Sequence, residues 1–523
     1  MNFSVDTIYS IEYGIKELKK LRIWRRLLVT KLTIKQKGVS VKQSSRRSRF
    51  VPVELGKVDG VRTVLEAVPE EMTAFGGAPM LAAVEKKVGL VAELSKLVND
   101  NRKQHLVDHQ KSDILLQRVC QIGTGFADGN DCDWLRGDAG IALALDRDPV
   151  TGQLGASQET TSRFESQAID RMNAKAMREI FVDHFIAKQK RRPKKIELDP
   201  DGTMIKTYGA QEGAVYRGGK YKNQMYFPLK MFCGDWLVAT VLRRGDQSES
   251  KTILDALKMV VGKLRTKWPG IRIKVRLDAA FGSPALYDWF RKTKIGYEVA
   301  IASNSVLVFN AWDFMEMAKA QFLKDHGEPR YMGKDGKKKL QEEHARIRGI
   351  EDADERMAQE KAFRNRRTRI VGEFSYKPEK WKNWERVICR VDFTDKGLDV
   401  HYVVVSSQVG VPQAIYEDEY CKRGLAEQSI GLFKQTAQRL SAQAFYANQF
   451  RLVLYGVTYM LLMHLRDYTC PKLRRADVNT LRKTLIVMPM VVHQTAKKTV
   501  LQISERHAHC REFLDTWRRL STA

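Results

Sequence analysis

The sequence predicts an α/β fold in which flanking helices cover a mixed sheet, preceded by an all-helical N-terminal domain. Two strand-like runs, MYFPLKMFCG and DWLVATVLRRG, follow one another, and a helical stretch then leads to a third run, IRIKVRLD. Strands in succession, then a crossover helix and another strand, are typical of a mixed sheet. Before residue 190, apolar residues recur at three and four positions, which is the helical period.

Length and charge limit the classes of protein to consider. A chain of 523 residues is too long for one hydrophobic core, so we expect two or three folded units. The 90 Lys and Arg residues outnumber the 62 Asp and Glu residues, and the resulting charge of +28 favours a polyanionic partner such as nucleic acid. No apolar run is long enough for a membrane span and no secretory signal is recognisable, so we expect a soluble cytoplasmic protein.

The cysteines exclude two further classes of structure. All seven are scattered along the chain, and none forms a C-x-x-C pair. This spacing argues against a disulfide framework and against a zinc site. We expect reduced and mostly packed thiols.

The N-terminal third is predicted to contain two segments. Residues 1–62 form a basic arm with the stretches KKLRIWRRLLVTKLTIKQK and SSRRSRF. Two interpretations of this arm stay open, contact with a DNA backbone or a solvated arm without a fixed partner. Residues 63–190 are predicted to form a helical DNA-binding or accessory domain, and Pro193 marks its end because proline terminates helices.

The C-terminal part is predicted to contain a hairpin, a core helix and a mixed tail. RVICRVDFT and LDVHYVVVS are joined by Asp395, Lys396 and Gly397, which indicates a hairpin. A charged stretch at about 320 to 370 is typical of a solvated helical face. The apolar segment FRLVLYGVTYMLLMHL contains Arg451 and is too short for a membrane span, so it predicts a buried core helix. Residues 471–523 are predicted to form a helix, a possible hairpin and a last helix.

Aspartates near two predicted strands are candidates for catalysis. In KKIELDPDGT, the strand period of two places Asp199 and Asp201 on one face, and Asp278 closes the run IRIKVRLD. Aspartate at the end of a buried strand is costly without a cation or a hydrogen-bond donor. Taken singly, each position is more often a turn former or a helix cap.

A third acid, Glu427, lies in a predicted helix. In YCKRGLAEQSIGLFK, Tyr420, Arg423, Glu427 and Lys434 lie at offsets of zero, three, seven and fourteen residues. At about 100° per residue they share a stripe roughly 60° wide. An ordinary solvated face is the alternative, but it does not predict a phenol and a guanidinium beside a lone acid. The opposite side holds apolar residues that would pack on a sheet: Leu425, Ala426, Leu432 and Phe433.

These residue types suit attack on a phosphodiester. The reaction needs an activated water or 3′-hydroxyl and a stabilised leaving oxygen, and two Mg²⁺ ions about 4 Å apart supply both. Such hard cations prefer carboxylate oxygens. Arginine and lysine bind the flanking phosphates, and tyrosine can donate a hydrogen bond to one of them.

The chain resembles the bacterial insertion-sequence transposases that are defined by Tyr, Arg, Glu and Lys around their third catalytic acid. Tyr420, Arg423, Glu427 and Lys434 reproduce that motif without a gap. Further stretches resemble one branch of this group in the same order, from about residue 70 to the C-terminus. They are TAFGG, GNDCDWLRGD, ASQETTSRFE, LDPDGT, GAQEG, YFPL, RLDAAFGSP and FYANQFRLVLYG.

The resemblance implies a ribonuclease H-like catalytic domain at residues 191–470, in which Asp201, Asp278 and Glu427 bind two Mg²⁺ or Mn²⁺ ions. Asp199 stays a rival first ligand or a partner of it, because the group carries D-x-D-x-T here and both acids are present. Asp201 is preferred, since its Asp-Gly-Thr step is similar to that of ribonuclease H itself. After Asp278 the group usually has Ser-Gly-Phe, whereas this chain has Ala-Ala-Phe.

The resemblance also implies a mostly β insertion at about residues 306–405, because the spacing between Asp278 and Glu427 exceeds what a minimal core needs. The predicted hairpin fits this insertion. In related enzymes an aromatic residue of the insertion stacks on a base flipped from the DNA end. Trp381 and Trp384 are the candidates for that role, and packing of the hairpin is the alternative for both.

The function implied is that of a cut-and-paste transposase. It would bind terminal inverted repeats in double-stranded DNA, nick them by hydrolysis, and join the freed 3′-hydroxyls to target DNA. Two ends must meet, so a homodimer in a synaptic complex follows, located in the bacterial cytoplasm and on the nucleoid when bound to DNA. The alternatives are a related nuclease without strand transfer and a transposase-derived DNA-binding protein that has lost catalysis.

Overall fold

A computed structural model describes residues 50–218, 221–245, 247, 249–333, 335–437 and 439–522. The chain forms two compact units, Met1–Pro69 and Glu70–Ala523. Most of the predicted basic arm, residues 1–49, lies outside the described residues.

The described part of the first unit is a β-hairpin. Strands β1 (Val53–Val58) and β2 (Val61–Leu65) pair antiparallel. Asp59 and Gly60 join them with φ angles of 50° and 79°, the left-handed pair that Asp-Gly favours in a two-residue hairpin turn. The boundary predicted at residue 62 falls inside β2, and the units divide after Pro69 instead.

The second unit begins with β3 (Glu71–Thr73), a short strand in a region predicted to be all-helical. Helices follow it, and their apolar residues at three- and four-residue spacing, such as Leu81 and Val84, are buried. These helices are α1 (Ala78–Val88), α2 (Leu90–Leu97), α3 (Lys111–Thr124), α4 (Cys132–Leu135), α5 (Ala139–Ala144), α6 (Gln158–Gln167) and α7 (Ala174–Lys188).

An eight-stranded mixed sheet forms the centre of the second unit and confirms the predicted α/β class. The strands in this part of the chain are β4 (Lys195–Gly202), β5 (Ile205–Lys206), β6 (Val215–Arg217), β7 (Asn223–Tyr226), β8 (Leu229–Cys233), β9 (Trp236–Val241), β10 (Arg272–Leu277), β11 (Gly296–Ile301), β12 (Arg367–Tyr376), β13 (Glu385–Thr394) and β14 (Gly397–Val405). The central sheet has the order β12-β13-β14-β11-β10-β4-β8-β9, and β5, β6 and β7 form a separate small sheet.

Strand direction defines the edge of the sheet that matters for function. Strands β4, β10 and β11 pair parallel, so their C-terminal ends meet at one edge, here called the carboxyl edge. Strand β8 pairs antiparallel with β4, and β9 antiparallel with β8. Strand β9 therefore also ends at the carboxyl edge.

The two faces of the central sheet differ in chemistry. Helices α8 (Glu249–Lys267) and α9 (Pro284–Lys292) cover an apolar face that includes Leu198 and Val275. Because successive side chains alternate between faces, Asp199, Asp201 and Arg276 belong to the opposite face, here called the site face.

The insertion predicted at residues 306–405 to be mostly β is helical in its first half. Its helices are α10 (Ser305–Asn310), α11 (Trp312–His326), α12 (Gly336–Arg348) and α13 (Ala353–Asn365). The predicted hairpin is confirmed as β13 and β14. Because β14 also pairs with β11, strands β12 to β14 extend the central sheet and do not form a sheet of their own.

The segment after β14 returns to the site face. It contains α14 (Pro412–Ala414), a π-helical turn at Ile415–Glu419, a 3₁₀ turn at Tyr420–Lys422 and α15 (Arg423–Lys434). Ile415, Tyr416 and Tyr420 pack in a small apolar cluster with residues of β13 and β14. The added strands therefore support the segment that leads to Glu427.

Helix α16 (Phe445–Asp467) is the predicted core helix, and it is buried along most of its length. It shares one hydrophobic core with residues of α1, α3 and α6. The boundaries predicted near residues 190 and 470 consequently fall inside one compact unit. Among the helices that the structure describes, none is long and apolar enough to cross a membrane.

The tail contains α17 (Val478–Leu481), β15 (Met490–Gln494), β16 (Thr499–Gln502) and α18 (Cys510–Thr522). The predicted hairpin is confirmed, since β15 and β16 pair antiparallel. Strand β15 also pairs with β3, so the tail closes onto the start of the second unit.

Candidate active site

Asp201 lies at the carboxyl edge on the last residues of β4, with its side chain 21% exposed. It is in register with Lys230 on β8. Burial raises the pKa of Asp201; the Arg423 guanidinium opposes this rise and the Asp278 carboxylate adds to it. Asp201 and Asp278 therefore lie close enough for their charges to repel.

Asp278 directly follows β10 at the same edge, and its residue is exposed. Its carboxylate accepts a hydrogen bond of 2.6 Å from the backbone N–H of Ala279 and so caps the 3₁₀ turn Ala279–Phe281. Phe281 is buried under this turn. The Ala-Ala-Phe sequence, which departs from the usual Ser-Gly-Phe of the group it resembles, thus forms the turn that presents Asp278.

Arg423 joins the third acid to the first. Its guanidinium nitrogens lie 3.1 Å from a carboxylate oxygen of Glu427 and 3.5 Å from one of Asp201. The arginine is the first residue of α15, so Glu427 follows it by one helical turn. The structure consequently brings Asp201, Arg423 and Glu427 together, with Asp278 nearby.

The predicted stripe required Tyr420 to lie on the same α-helix as Arg423 and Glu427. In the structure it does not. The 3₁₀ turn that contains it precedes α15. Its ring packs against those of His401 and Tyr416, with centroids 5.6 and 5.8 Å away, and burial raises its pKa. Tyr420 is therefore a packed residue beside the acids, and the prediction of one continuous helix is wrong at this point.

The apolar side of α15 also differs in part from the expectation. Ala426, Ile430 and Phe433 are buried, at the three- and four-residue spacing of a packed helix. Leu425, predicted to pack on the sheet, is exposed instead. Leu432 is partly buried.

Asp199 lies in a buried ion pair with Arg276. Its two oxygens accept hydrogen bonds of 2.7 Å each from Nε and Nη2 of Arg276. Arg276 also donates to the backbone carbonyl of Glu419 at 3.1 Å. Burial raises the pKa of Asp199 and Arg276 opposes that rise. This arrangement occupies both carboxylate oxygens and ties β4 to the turn that precedes α15.

Sequence reasoning missed two basic residues of the site face, Arg276 and Lys230. Lys230 is fully buried with its Nζ 4.5 Å from the ring centroid of Phe433. Burial, together with the nearby Lys434, lowers its pKa to about 7. Lys434 itself is exposed near the end of the site. The register of β4 with β8 and β10, which identifies both missed residues, cannot be read from the sequence alone.

The two tryptophans predicted for base stacking lie at the edge of the sheet opposite the carboxyl edge. Trp381 and Trp384 precede β13, which runs parallel to β11 and begins at the edge opposite the carboxyl edge. Trp381 packs against Tyr287 and Trp384 is exposed. The packing alternative therefore describes Trp381, and the geometry places neither tryptophan beside Asp201.

Different aromatic residues follow the carboxyl edge. Helix α10 begins four residues after β11 ends, and Phe309 in it is 79% exposed. Trp312, the first residue of α11, is 56% exposed. The sequence could have pointed to them, because they are two aromatic residues three positions apart in the predicted insertion.

The carboxylates at the carboxyl edge have the chemistry that a divalent cation requires, but the structure does not bring them close enough together to hold one. Carboxylates are the ligands that Mg²⁺ and Mn²⁺ prefer, and the mutual repulsion of Asp201 and Asp278 is the condition that a cation relieves. Among the described residues, no group of three or more His, Cys, Asp or Glu side chains converges closely enough to hold a metal ion. In this arrangement Arg423 provides the positive charge between Asp201 and Glu427.

Comparisons with known proteins identify the family. Residues 57–523 match the family model described as transposase DDE domain group 1. No curated protein matches the chain. The structure of a piggyBac transposase synaptic complex with hairpin DNA is 10% identical with a TM-score of 0.36, covering 73% of this chain and 74% of that one. A Mos1 transposase paired-end complex with the left transposon end is 13% identical with a TM-score of 0.16, covering 33% and 57%.

These structural scores are too low to support an argument, whereas the family match covers most of the chain. The match confirms the resemblance to DDE transposases that the motifs indicated. A bacterial insertion-sequence origin stays a prediction. The chain belongs to the transposase DDE domain group 1 family.

Proposed function

We propose that this transposase cleaves DNA at terminal inverted repeats and joins the freed 3′-hydroxyls to target DNA. The observation that carries the proposal is the meeting of Asp201, Arg423 and Glu427 at the carboxyl edge, next to Asp278. Carboxylates from three separate segments, with basic residues beside them, suit binding and cleavage of a phosphodiester.

Asp201, Asp278 and Glu427 are the residues that would hold two Mg²⁺ or Mn²⁺ ions. When bound, such ions activate the attacking water or 3′-hydroxyl and stabilise the leaving oxygen. The exposed carboxylates of Asp278 and Glu427 can move toward Asp201, which is fixed on a strand. Arg423, once released from the acids, can donate two hydrogen bonds to a DNA phosphate.

Asp199 is proposed as a positioning residue. Both of its carboxylate oxygens accept hydrogen bonds from Arg276, and the same arginine donates to the backbone carbonyl of Glu419. Substitution by cysteine separates a ligand from a positioning residue, because a thiolate binds Mn²⁺ better than Mg²⁺. Cleavage by Asp201→Cys should recover in Mn²⁺, whereas cleavage by Asp199→Cys should not; the opposite pattern would make Asp199 the ligand.

Phe309 and Trp312 replace Trp381 and Trp384 as candidates for stacking on a base near the cleaved end. They follow the strand end at the carboxyl edge and are exposed, as a stacking surface requires. Alanine at Trp312 should reduce cleavage of an intact end more than joining of an end that was already cut. Alanine at Trp384 is the matched control and should change neither.

The proposed activity is tested with purified protein and DNA that flanks its own gene. We expect cleavage in Mg²⁺, none in EDTA, and none with Glu427→Gln although DNA binding persists. Joining of pre-cut ends to a target plasmid separates a transposase from a nuclease without strand transfer. Binding without any cleavage would leave only a DNA-binding protein. A homodimer is expected in the complex that holds two ends, measurable by its mass in solution.

A further inference from the structure

A cavity of about 480 Å³ lies beside the end of β9, where α7, α8 and α16 meet. Its volume is within the range of small-molecule sites. Val241, at the end of β9, is in register with Leu229, which is in register with Gly202 of β4. Two strand spacings, about 10 Å, therefore separate the end of β9 from the strand that carries Asp201.

A buried amide in the cavity wall lacks one hydrogen-bond partner. The side chain of Gln449 is buried, and its Oε1 accepts a 2.6 Å hydrogen bond from the backbone N–H of Leu242. Its Nε2 has no partner within the described part of the chain. An unpaired buried donor is costly, and because this atom has almost no accessible surface, a ligand acceptor would reach it after a shift of the Gln449 side chain.

The remaining wall is basic and aromatic. Among the cavity-lining residues that the structure describes, Lys175, Arg178 and Lys251 are basic and Asp255 is acidic. None of the three cations forms an ion pair with a carboxylate that the structure describes; the Nε of Arg178 donates to a backbone carbonyl of its own helix. This charge imbalance favours an anionic ligand.

Aromatic rings complete the lining. Phe445 and Tyr446 open α16, and their ring centroids lie 5.8 Å apart. Phe445 is partly buried and Tyr446 is exposed. Aromatic side chains beside cations are the usual surface for single-stranded nucleic acid, because every base can stack on a ring.

We propose that this cavity binds one nucleotide of a DNA strand that passes the carboxyl edge. The base would lie against Phe445 and, after a shift of the Gln449 side chain, accept a hydrogen bond from it, and the flanking phosphate would lie near Lys175 and Lys251. The inference rests on the proposed function, because that function brings a DNA strand within about two strand spacings of the cavity.

Cross-linking tests the position of the base. Full-length protein in EDTA is mixed with DNA that flanks its gene and carries 5-iodouracil at one position per duplex, then irradiated and analysed by mass spectrometry. We expect attachment to Phe445 or Tyr446 from one or two adjacent positions. An excess of free mononucleotide that removes the attachment without releasing the DNA would show that free nucleotides occupy the cavity, and would overturn the strand assignment.

Lysine variants test the phosphate contact. Lys251→Ala should weaken DNA binding and reduce the salt slope of log Kd by about one. Lys258→Ala, an exposed lysine on the same helix that does not line the cavity, is the control and should leave the slope unchanged. Equal melting temperatures would show that both variants fold.

Failure of the cavity assignment can be distinguished from failure of the proposed function. DNA that is bound and cleaved, but attaches nowhere in the cavity and loses no salt dependence with Lys251→Ala, would overturn this inference and leave the proposed function intact. Protein that neither binds nor cleaves the DNA would overturn the proposed function, and the cavity assignment with it.

Discussion

The guanidinium of Arg423 lies between two carboxylates that DNA cleavage would use. Because it pairs with both Asp201 and Glu427, it lowers the repulsion among acids that lie close together. A cation bound by the same acids would take over that task. Arg423 would then be available to the DNA.

Replacement of Arg423 by alanine should weaken binding of the DNA end and flatten its salt dependence, because a phosphate contact is lost. The measurement is Kd against salt concentration for a duplex with a terminal repeat. Arg423→Lys keeps the charge and should restore the salt slope without full activity. A slope that is unchanged in Arg423→Ala would contradict the phosphate role.

Replacement of Asp278 by asparagine should abolish cleavage without unfolding the protein. Asp278 is exposed and adds to the repulsion at Asp201, so removing its charge should maintain or raise the melting temperature in EDTA. Differential scanning calorimetry provides the check. A sharp drop in melting temperature would mean that Asp278 is structural.

For individual residues, the sequence predicts which of them belong to the site but not which atoms they contact. Alternation correctly places Asp199 and Asp201 on one face, yet only the pairing with β10 brings Arg276 to Asp199. Tyr420 is likewise buried by His401 and Tyr416, contacts that helical periodicity does not contain. Residues far apart in the chain decide both outcomes.

Helices α7 and α16 meet at a largely buried pair of histidines beside β9. The Nε2 atoms of His184 and His464 lie 2.8 Å apart. Burial lowers the pKa of His184 to about 4 and that of His464 to about 3, and the charge of Lys188 adds to both effects. Both rings are therefore neutral in the folded protein at neutral pH.

This pair should make stability fall in acid. The unfolded chain protonates its histidines near pH 6.5, so between about pH 6.5 and 4 it binds more protons than the fold, and stability decreases as pH falls. His464→Phe should give a shallower slope of melting temperature against pH than the wild type. His105→Ala, at an exposed position, should keep the wild-type slope; identical slopes in all three proteins would contradict this origin.

A buried ion triad joins α3, α6 and α16. Glu165 accepts hydrogen bonds of 2.7 Å from Arg118 and 2.6 Å from Arg451, and all three side chains are buried. Glu165→Ala would leave two buried guanidiniums unpaired and should lower the free energy of unfolding by about 3–5 kcal/mol. Glu159→Ala, on an exposed face of the same helix, should change it by less than about 1 kcal/mol. Urea titration measures both.

Elements with a local signal are predicted well, and those that depend on distant pairing are not. The hairpin of β13 and β14 follows from alternation and an Asp-Lys-Gly turn. Its pairing with β11 requires a contact across more than ninety positions of sequence, and no local pattern encodes it. The same limit explains why the helices before residue 190 were predicted as a separate domain, although they share their core with α16.

On the scale of the whole molecule, the net charge of +28 agrees with a DNA partner. The family match identifies the chain as a DDE transposase. The added strands β12 to β14 widen the central sheet and support the turn that leads to α15. The carboxyl edge, the strands added beside it and helix α15 together bring Asp201 and Glu427 to Arg423 and place Asp278 near Asp201. Shared metal binding by these acids is the central claim.

Iron-directed cleavage of the protein tests that claim most directly. Fe²⁺ replaces Mg²⁺ in the purified protein bound to end DNA, and peroxide then cuts the backbone next to the bound metal. Cuts beside Asp201, Asp278 and Glu427 together, suppressed by excess Mg²⁺ and lost in Glu427→Gln but not in the exposed control Asp418→Asn, are the predicted result. Cuts beside only one of the three, or an unchanged pattern in Glu427→Gln, would contradict a shared site.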